Sequence, residues 1–126
     1  MKKKTILIAD DSLVMRLKIE DTLSVLKNID ILQAKDGEEA LHLIARNQID
    51  GLILDSLMPR LDGYGVLEKL KADKMPMNVI VLTADIQVTT KKKYVDLGAR
   101  DVLHKPFSKE ELLNSVEINF GIPHTA

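Results

Sequence analysis

The chain has 126 residues, enough for one compact domain with a buried core and too few for two of ordinary size. Apolar residues make up 45%, charged residues 29% and the formal net charge is −1, so no charge excess marks a nucleic-acid or membrane-surface binder. There is no cysteine, which excludes a disulfide scaffold and a thiolate metal site.

The chain opens on the basic flank Met1-Lys2-Lys3-Lys4, and the apolar run after it, Ile6 to Ala9, ends at two aspartates. That run is too short for a signal peptide or a membrane span, so the expected location is the cytoplasm. Thr5 to Ala9 reads as a strand buried on both faces, as do Gly51 to Leu54 and Val79 to Leu82. Continuous β-branched and leucine runs mark parallel strands covered by helices. Asp30 to Ala34 and Asp101 to Leu103 are two weaker strands.

Helical stripes lie between the strands. They are Met15, Ile19, Leu23 and Leu26; Ala40, Leu41 and Ile44; Val66, Leu67 and Leu70; and Leu113, Val116 and Phe120. Asp36 with Glu39, and Ser108 with Glu111, have capping-box spacing, and Ser12 reads as a helix cap. Gln87 to Leu97 has few apolar residues and is expected to be the loosest helix, ending at Gly98. The pattern is βα repeated five times. It predicts an α/β fold with one open parallel sheet and helices on both faces. The core is expected over about residues 4–120, as one domain, with 121–126 a loose tail.

In such sheets the functional crevice lies at the carboxyl ends of the strands. There the sequence places Asp10 and Asp11, then Asp55, then Thr83 followed by the small Ala84, then Lys105 followed by Pro106. Each residue alone has an ordinary explanation as a turn, cap or surface residue. Together they put three carboxylates, a hydroxyl and an ammonium on one rim. Neighbouring carboxylates repel, and a cation must relieve that. Hard oxygen ligands suit Mg²⁺, or Mn²⁺, better than zinc. A metal and a lysine together provide the charge neutralisation that phosphoryl transfer needs, and a carboxylate nucleophile would give an acyl phosphate.

Asp10-Asp11-Ser12, Asp55-Ser56-Leu57-Met58-Pro59-Arg60-Leu61-Asp62-Gly63, Thr83-Ala84 and Lys105-Pro106-Phe107 resemble the signature of the CheY-like receiver domain of two-component response regulators. The likeness runs from about Lys4 to Phe120. It implies a three-layer flavodoxin-like (βα)5 fold with strand order 2-1-3-4-5. It also implies that Asp55 accepts a phosphoryl group from the phosphohistidine of a sensor histidine kinase or a histidine phosphotransfer protein. Mg²⁺ would then be held by Asp10, Asp11, Asp55 and the backbone carbonyl of Leu57. Thr83, Ala84 and Lys105 would contact the phosphoryl group, Lys105–Pro106 would be cis, and the domain would hydrolyse its own acyl phosphate.

The resemblance further implies an output face, here including Lys91, Lys92, Lys93, Tyr94, Val102 and His104, that meets a downstream protein partner and neither nucleic acid nor membrane directly. His104 is expected to point away from Lys105 toward solvent or that partner. Many relatives carry an aromatic residue where this chain has Val102, so the output coupling is expected to differ. Leu57 and Asp85 are expected to tune the path of attacking water. Three other readings stay open. A flavin carrier would need a neutral or glycine-rich phosphate loop where Asp10 and Asp11 stand. An aspartate-based phosphatase would space its first two aspartates by one residue. A phosphorylation-independent pseudo-receiver would have lost an acidic residue.

Overall fold

The computed structural model describes residues 3–124. Met1 and Lys2 of the basic flank, and Thr125 and Ala126 of the tail, lie outside the described residues. Strands and helices alternate: β1 (Lys4–Ala9), α1 (Leu13–Leu23), β2 (Ile29–Ala34), α2 (Gly37–Arg46), β3 (Gly51–Asp55), α3 (Gly63–Ala72), β4 (Val79–Thr83), α4 (Val88–Asp96), β5 (Asp101–His104) and α5 (Lys109–Phe120). The five strands are parallel, in the order 2-1-3-4-5. Each expected strand is present, within one residue of its expected end.

The strands alternate between two core layers because successive side chains point to opposite faces. Ile6, Ile8, Ile53, Ile80 and Leu82 pack with Ile19 and Leu23 of α1 and with Leu112, Val116 and Phe120 of α5. Leu7, Leu52, Leu54, Val79 and Val81 pack with residues of α2, α3 and α4. Helices cover both faces, and β3 and β4 are buried along their whole length. This explains why those two runs are apolar without alternation.

Helix ends follow local chemistry. Ser108 Oγ accepts from Glu111 N at 3.0 Å, and Glu111 Oε1 accepts from Ser108 N at 3.1 Å, a complete capping box. Asp36 Oδ1 accepts from Glu39 N at 2.8 Å, but the Glu39 carboxylate turns one residue further back, to Lys35 N. Ser12 Oγ accepts from Met15 N and caps α1. Gly98, at φ +104°, follows the end of α4, and Ala99 N donates back to Tyr94 O at 3.0 Å.

Two expectations need correction. In α5 the fully buried leucine is Leu112, while Leu113 sits at the edge of the layer. A stripe at 112, 116 and 120 keeps strict i, i+4 spacing and therefore points straight at the sheet. The tail is docked as far as it is described. Ile122 is 4% exposed in the α1–α5 layer, and His124 N donates to Glu117 Oε1 at 3.1 Å. One apolar side chain supplies the burial that a scan for periodicity does not register.

At the first residue of α2, Gly37 meets the β3–α3 loop so closely that an added Cβ would overlap the Leu61 carbonyl oxygen and lie 2.8 Å from its carbon. Helix propensity alone favours alanine by up to about 1 kcal/mol. Steric overlap with backbone opposes it. Gly37→Ala is expected to destabilise the protein by about 1–3 kcal/mol, the usual cost of overpacking, read from the urea midpoint. A gain in stability would show that the loop yields freely.

Candidate functional site

The carboxyl ends of β1, β3, β4 and β5 bring the rim residues together. Asp10 follows β1 directly and is 2% exposed. Its Oδ1 accepts from Ser12 N at 2.9 Å, and its backbone carbonyl accepts from Arg16 Nη1 at 2.7 Å. Asp11 is exposed beside it. Asp55 ends β3 and is 5% exposed. Carboxylate oxygens of Asp10, Asp11 and Asp55 lie within 4.8 Å of one another.

Lys105 binds two of the three acids. Its Nζ donates to Asp55 Oδ1 at 2.9 Å and to Asp10 Oδ2 at 3.3 Å. Lys105 N also donates to Thr83 O at 2.7 Å, tying the loop after β5 to the end of β4. The Lys105–Pro106 peptide is cis. Phe107 then turns into the layer beneath α5, with Lys18 Nζ 5.7 Å from its ring centre.

Burial, and after it the charge of Asp10, pushes the Asp55 carboxyl above its ordinary value, and the Lys105 ammonium offsets only part of this. Burial also works against the Lys105 ammonium. Asp55 and Asp10 outweigh it and hold the lysine above its ordinary value. An acidic cluster with its one lysine is thus short of positive charge, and its donors are all hard oxygens. That donor set fits a small divalent cation such as Mg²⁺.

Thr83, the last residue of β4, is 2% exposed. Its Oγ1 accepts from Asp85 N and from Ser56 Oγ, each at 3.1 Å. Ala84 is exposed at the rim, as is Leu57, with 74% of its surface open. Asp85 does not aim at the acidic cluster. Its carboxylate accepts from Thr90 Oγ1 at 2.7 Å and Gln87 N at 2.9 Å, and these bonds hold it below the usual carboxylate range. It caps the entry to α4, whose N-cap Gln87 makes no side-chain capping bond of its own.

The expected output face is only partly a surface. Lys91, Lys92, Lys93 and His104 are exposed. Tyr94 is 1% exposed and Val102 6%, both in the α2–α4 core layer. This corrects their placement. Tyr94 is the single buried residue of α4, so its ring faces the sheet and the lysines before it face water. Two residues near the site were not singled out from sequence: Ser56, which touches Thr83, and Tyr64, whose ring stacks on Tyr94.

The family model for the response regulator receiver domain matches residues 6–117. The chain belongs to that family. The receiver is 42% identical over 108 residues to a protein named response regulator MprA from Mycobacterium sp. (strain KMS), covering 86% of this chain and 46% of that protein. The chain thus spans about half the length of the curated relatives it matches. Among solved structures it resembles the receiver domain of the Francisella response regulator 1452, with TM-score 0.88, 34% identity, and 94% and 98% of the two chains covered. It also resembles the receiver domain of sensor histidine kinase PA1611 from Pseudomonas aeruginosa PAO1, with TM-score 0.82, 27% identity, and 94% and 98% covered. That structure has a magnesium ion coordinated in its active-site cleft. The receiver is therefore a signalling domain of two-component systems. Among its described residues no helix is long and apolar enough to cross a membrane.

Proposed function

We propose that this receiver is a phosphorylation switch in which Asp55 takes a phosphoryl group from a phosphohistidine. The observation that carries the reading is the cluster itself: three carboxylates within 4.8 Å, two of them bridged by Lys105. An Asp55 carboxylate oxygen attacks phosphorus. The new O–P bond forms as the P–N bond to the donor imidazole breaks, and that imidazole departs with the electron pair and takes up a proton. Asp10, Asp11, Asp55 and the Leu57 carbonyl would hold Mg²⁺. When bound, the ion neutralises charge on the phosphoryl oxygens. Lys105 exchanges its contact with the Asp55 carboxylate for one with a phosphoryl oxygen. Thr83 donates to another, beside the small Ala84. Water later attacks phosphorus, the Asp55 O–P bond breaks, and the free carboxylate returns.

Several apolar side chains close in sequence to the rim residues support docking of a histidine-bearing protein partner. Leu13, Val14, Leu57 and Ile86 are 57%, 77%, 74% and 73% exposed, each within three residues of Asp11, Asp55 or Thr83. Exposed apolar groups clustered at a rim mark an interaction surface. A sensor histidine kinase or a phosphotransfer protein is the partner this fits. The pseudo-receiver reading is not favoured, because every acidic rim residue is present.

The test is intact mass after incubation with acetyl phosphate and Mg²⁺. One added phosphoryl group is expected, absent with Asp55→Ala and absent without metal. No adduct, together with no beryllofluoride binding, would overturn the reading.

A further inference from the structure

The turn after β1 that carries Asp10 and Asp11 is held from outside the acidic cluster. Asp10 N donates to Ala34 O at 3.0 Å, and Ser12 N donates to Asp10 Oδ1 at 2.9 Å. The Asp10 carbonyl accepts from Arg16 Nη1 at 2.7 Å. That oxygen belongs to the peptide joining Asp10 to Asp11. A peptide unit is planar and carries the next Cα with it, so a bond to its oxygen also places Asp11. Asp11 is exposed, and its carboxylate joins the cluster from this turn.

Arg16 is itself fixed. Its Nε donates to Gln33 Oε1 of β2 at 2.9 Å. The Gln33 amide nitrogen donates in turn to Glu20 Oε2. Arg16 and Glu20 stand four residues apart on α1 and so share one face of the helix. A guanidinium only donates and a carboxylate only accepts, so the amide between them has one orientation that serves both. Two acceptors thus hold the guanidinium plane, one on β2 and one at the exit of β1. Lys105 acts on Asp10 differently, because it meets the carboxylate, whereas Arg16 meets the main chain.

We propose that Arg16 is a positioning residue for the metal site: braced by Gln33 and Glu20, it sets the Asp10–Asp11 peptide so that the two carboxylates suit a small divalent cation better than a large one. The inference rests on the reading of the acidic cluster as a Mg²⁺ site. Its sign is opposite to that of simple repulsion. Arg16 carries a positive charge, so its removal would tighten cation binding if charge alone mattered. If placement governs, removal weakens it. Mg²⁺ demands near-octahedral oxygens at short range, while Ca²⁺ accepts longer and more varied geometry. A looser turn therefore costs Mg²⁺ more than Ca²⁺.

Mg²⁺ and Ca²⁺ are titrated separately into the isotope-labelled protein, and the NMR shifts of backbone amides near Asp10, Asp11 and Asp55 give each affinity. Arg16→Met is expected to weaken Mg²⁺ by about tenfold, the low end of what loss of an outer partner costs a metal site, and Ca²⁺ by no more than about threefold. Arg16→Lys keeps the charge but not the planar fork, and it should lose Mg²⁺ affinity at least as much. Gln33→Leu removes the brace without touching the turn and should weaken Mg²⁺ by about threefold. A tie that served stability alone would move the urea midpoint and leave the ratio of Mg²⁺ to Ca²⁺ affinity as it is in the wild type. Unchanged or tighter Mg²⁺ binding in Arg16→Met, full retention in Arg16→Lys, or equal losses for the two ions overturns the positioning role and leaves the phosphoacceptor reading standing. Should Arg16→Met not fold, an unchanged ratio in Gln33→Leu does the same. Wild-type amides near the acids that do not respond to Mg²⁺ overturn the metal reading as well.

Discussion

Asp55→Asn is expected to abolish the phosphoryl adduct and at the same time to stabilise the folded protein at neutral pH. The loss of chemistry follows because an amide cannot act as the attacking carboxylate. The gain in stability follows from the electrostatics of the site. Burial first, and the charge of Asp10 after it, raise the folded-state pKa of Asp55 above the ordinary 3.8, with Lys105 compensating only in part. Between the ordinary and the folded value the native state holds more protons than the unfolded chain. The contribution of Asp55 to stability is therefore full below pH 3.8 and is lost as pH rises through the folded pKa. Asparagine has no such titration and still accepts a hydrogen bond from Lys105. Its advantage should be about 1 kcal/mol at pH 7, typical of relieving a strained functional site, and about 4 °C in melting temperature. In metal-free buffer below pH 3.8 the advantage should vanish. Calorimetry at the two pH values checks the sign. Equal stability of both proteins at neutral pH would mean that Lys105 fully compensates the buried charge.

Leu54→Ala is expected to destabilise the domain severely. Leu54 is fully buried on the central strand β3, in the layer covered by α2, α3 and α4, and it immediately precedes Asp55. Both neighbouring strands are hydrogen-bonded to β3, so the backbone has little freedom to close a void. Leucine truncation at such a site costs about 3–4 kcal/mol, near the middle of the range for buried positions that relax incompletely. That is a fall of roughly 10–15 °C in a domain of this size. Leu57→Ala, three residues on but largely exposed, should change stability by less than about 0.5 kcal/mol. Urea melts of the two variants should differ in midpoint at equal slope. A cost below about 1 kcal/mol for Leu54→Ala would mean that the helices settle onto the sheet after truncation.

The strands and the acidic rim were legible in the sequence for one reason. A strand buried on both faces must be apolar throughout, so the first polar residue after it marks where the chain leaves the sheet. Asp10, Asp55, Thr83 and Lys105 each stand at such an exit or one residue past it, and parallel topology then gathers them at one end of the sheet. The caps at Ser12, Asp36 and Ser108 were legible too, because their partners lie three residues away.

What the tertiary structure decided depends on partners distant in sequence or on a single side chain. Ser56 meets Thr83 because β3 and β4 pair Asp55 with Leu82, one step before both hydroxyls. No local spacing encodes that register. In α4, where one apolar ring among lysines faces the sheet, periodicity has too few points to define a face, and so Tyr94 was placed outside rather than in the core. Asp85 was drawn to the cap of α4 because Gln87 leaves that cap open, a competition visible only once both are folded together. Sequence by itself determined the sheet, its chemistry-bearing rim and the family. The Ser56–Thr83 contact and the burial of Tyr94 were decided by side-chain packing across elements, where shape and register outweigh local propensity.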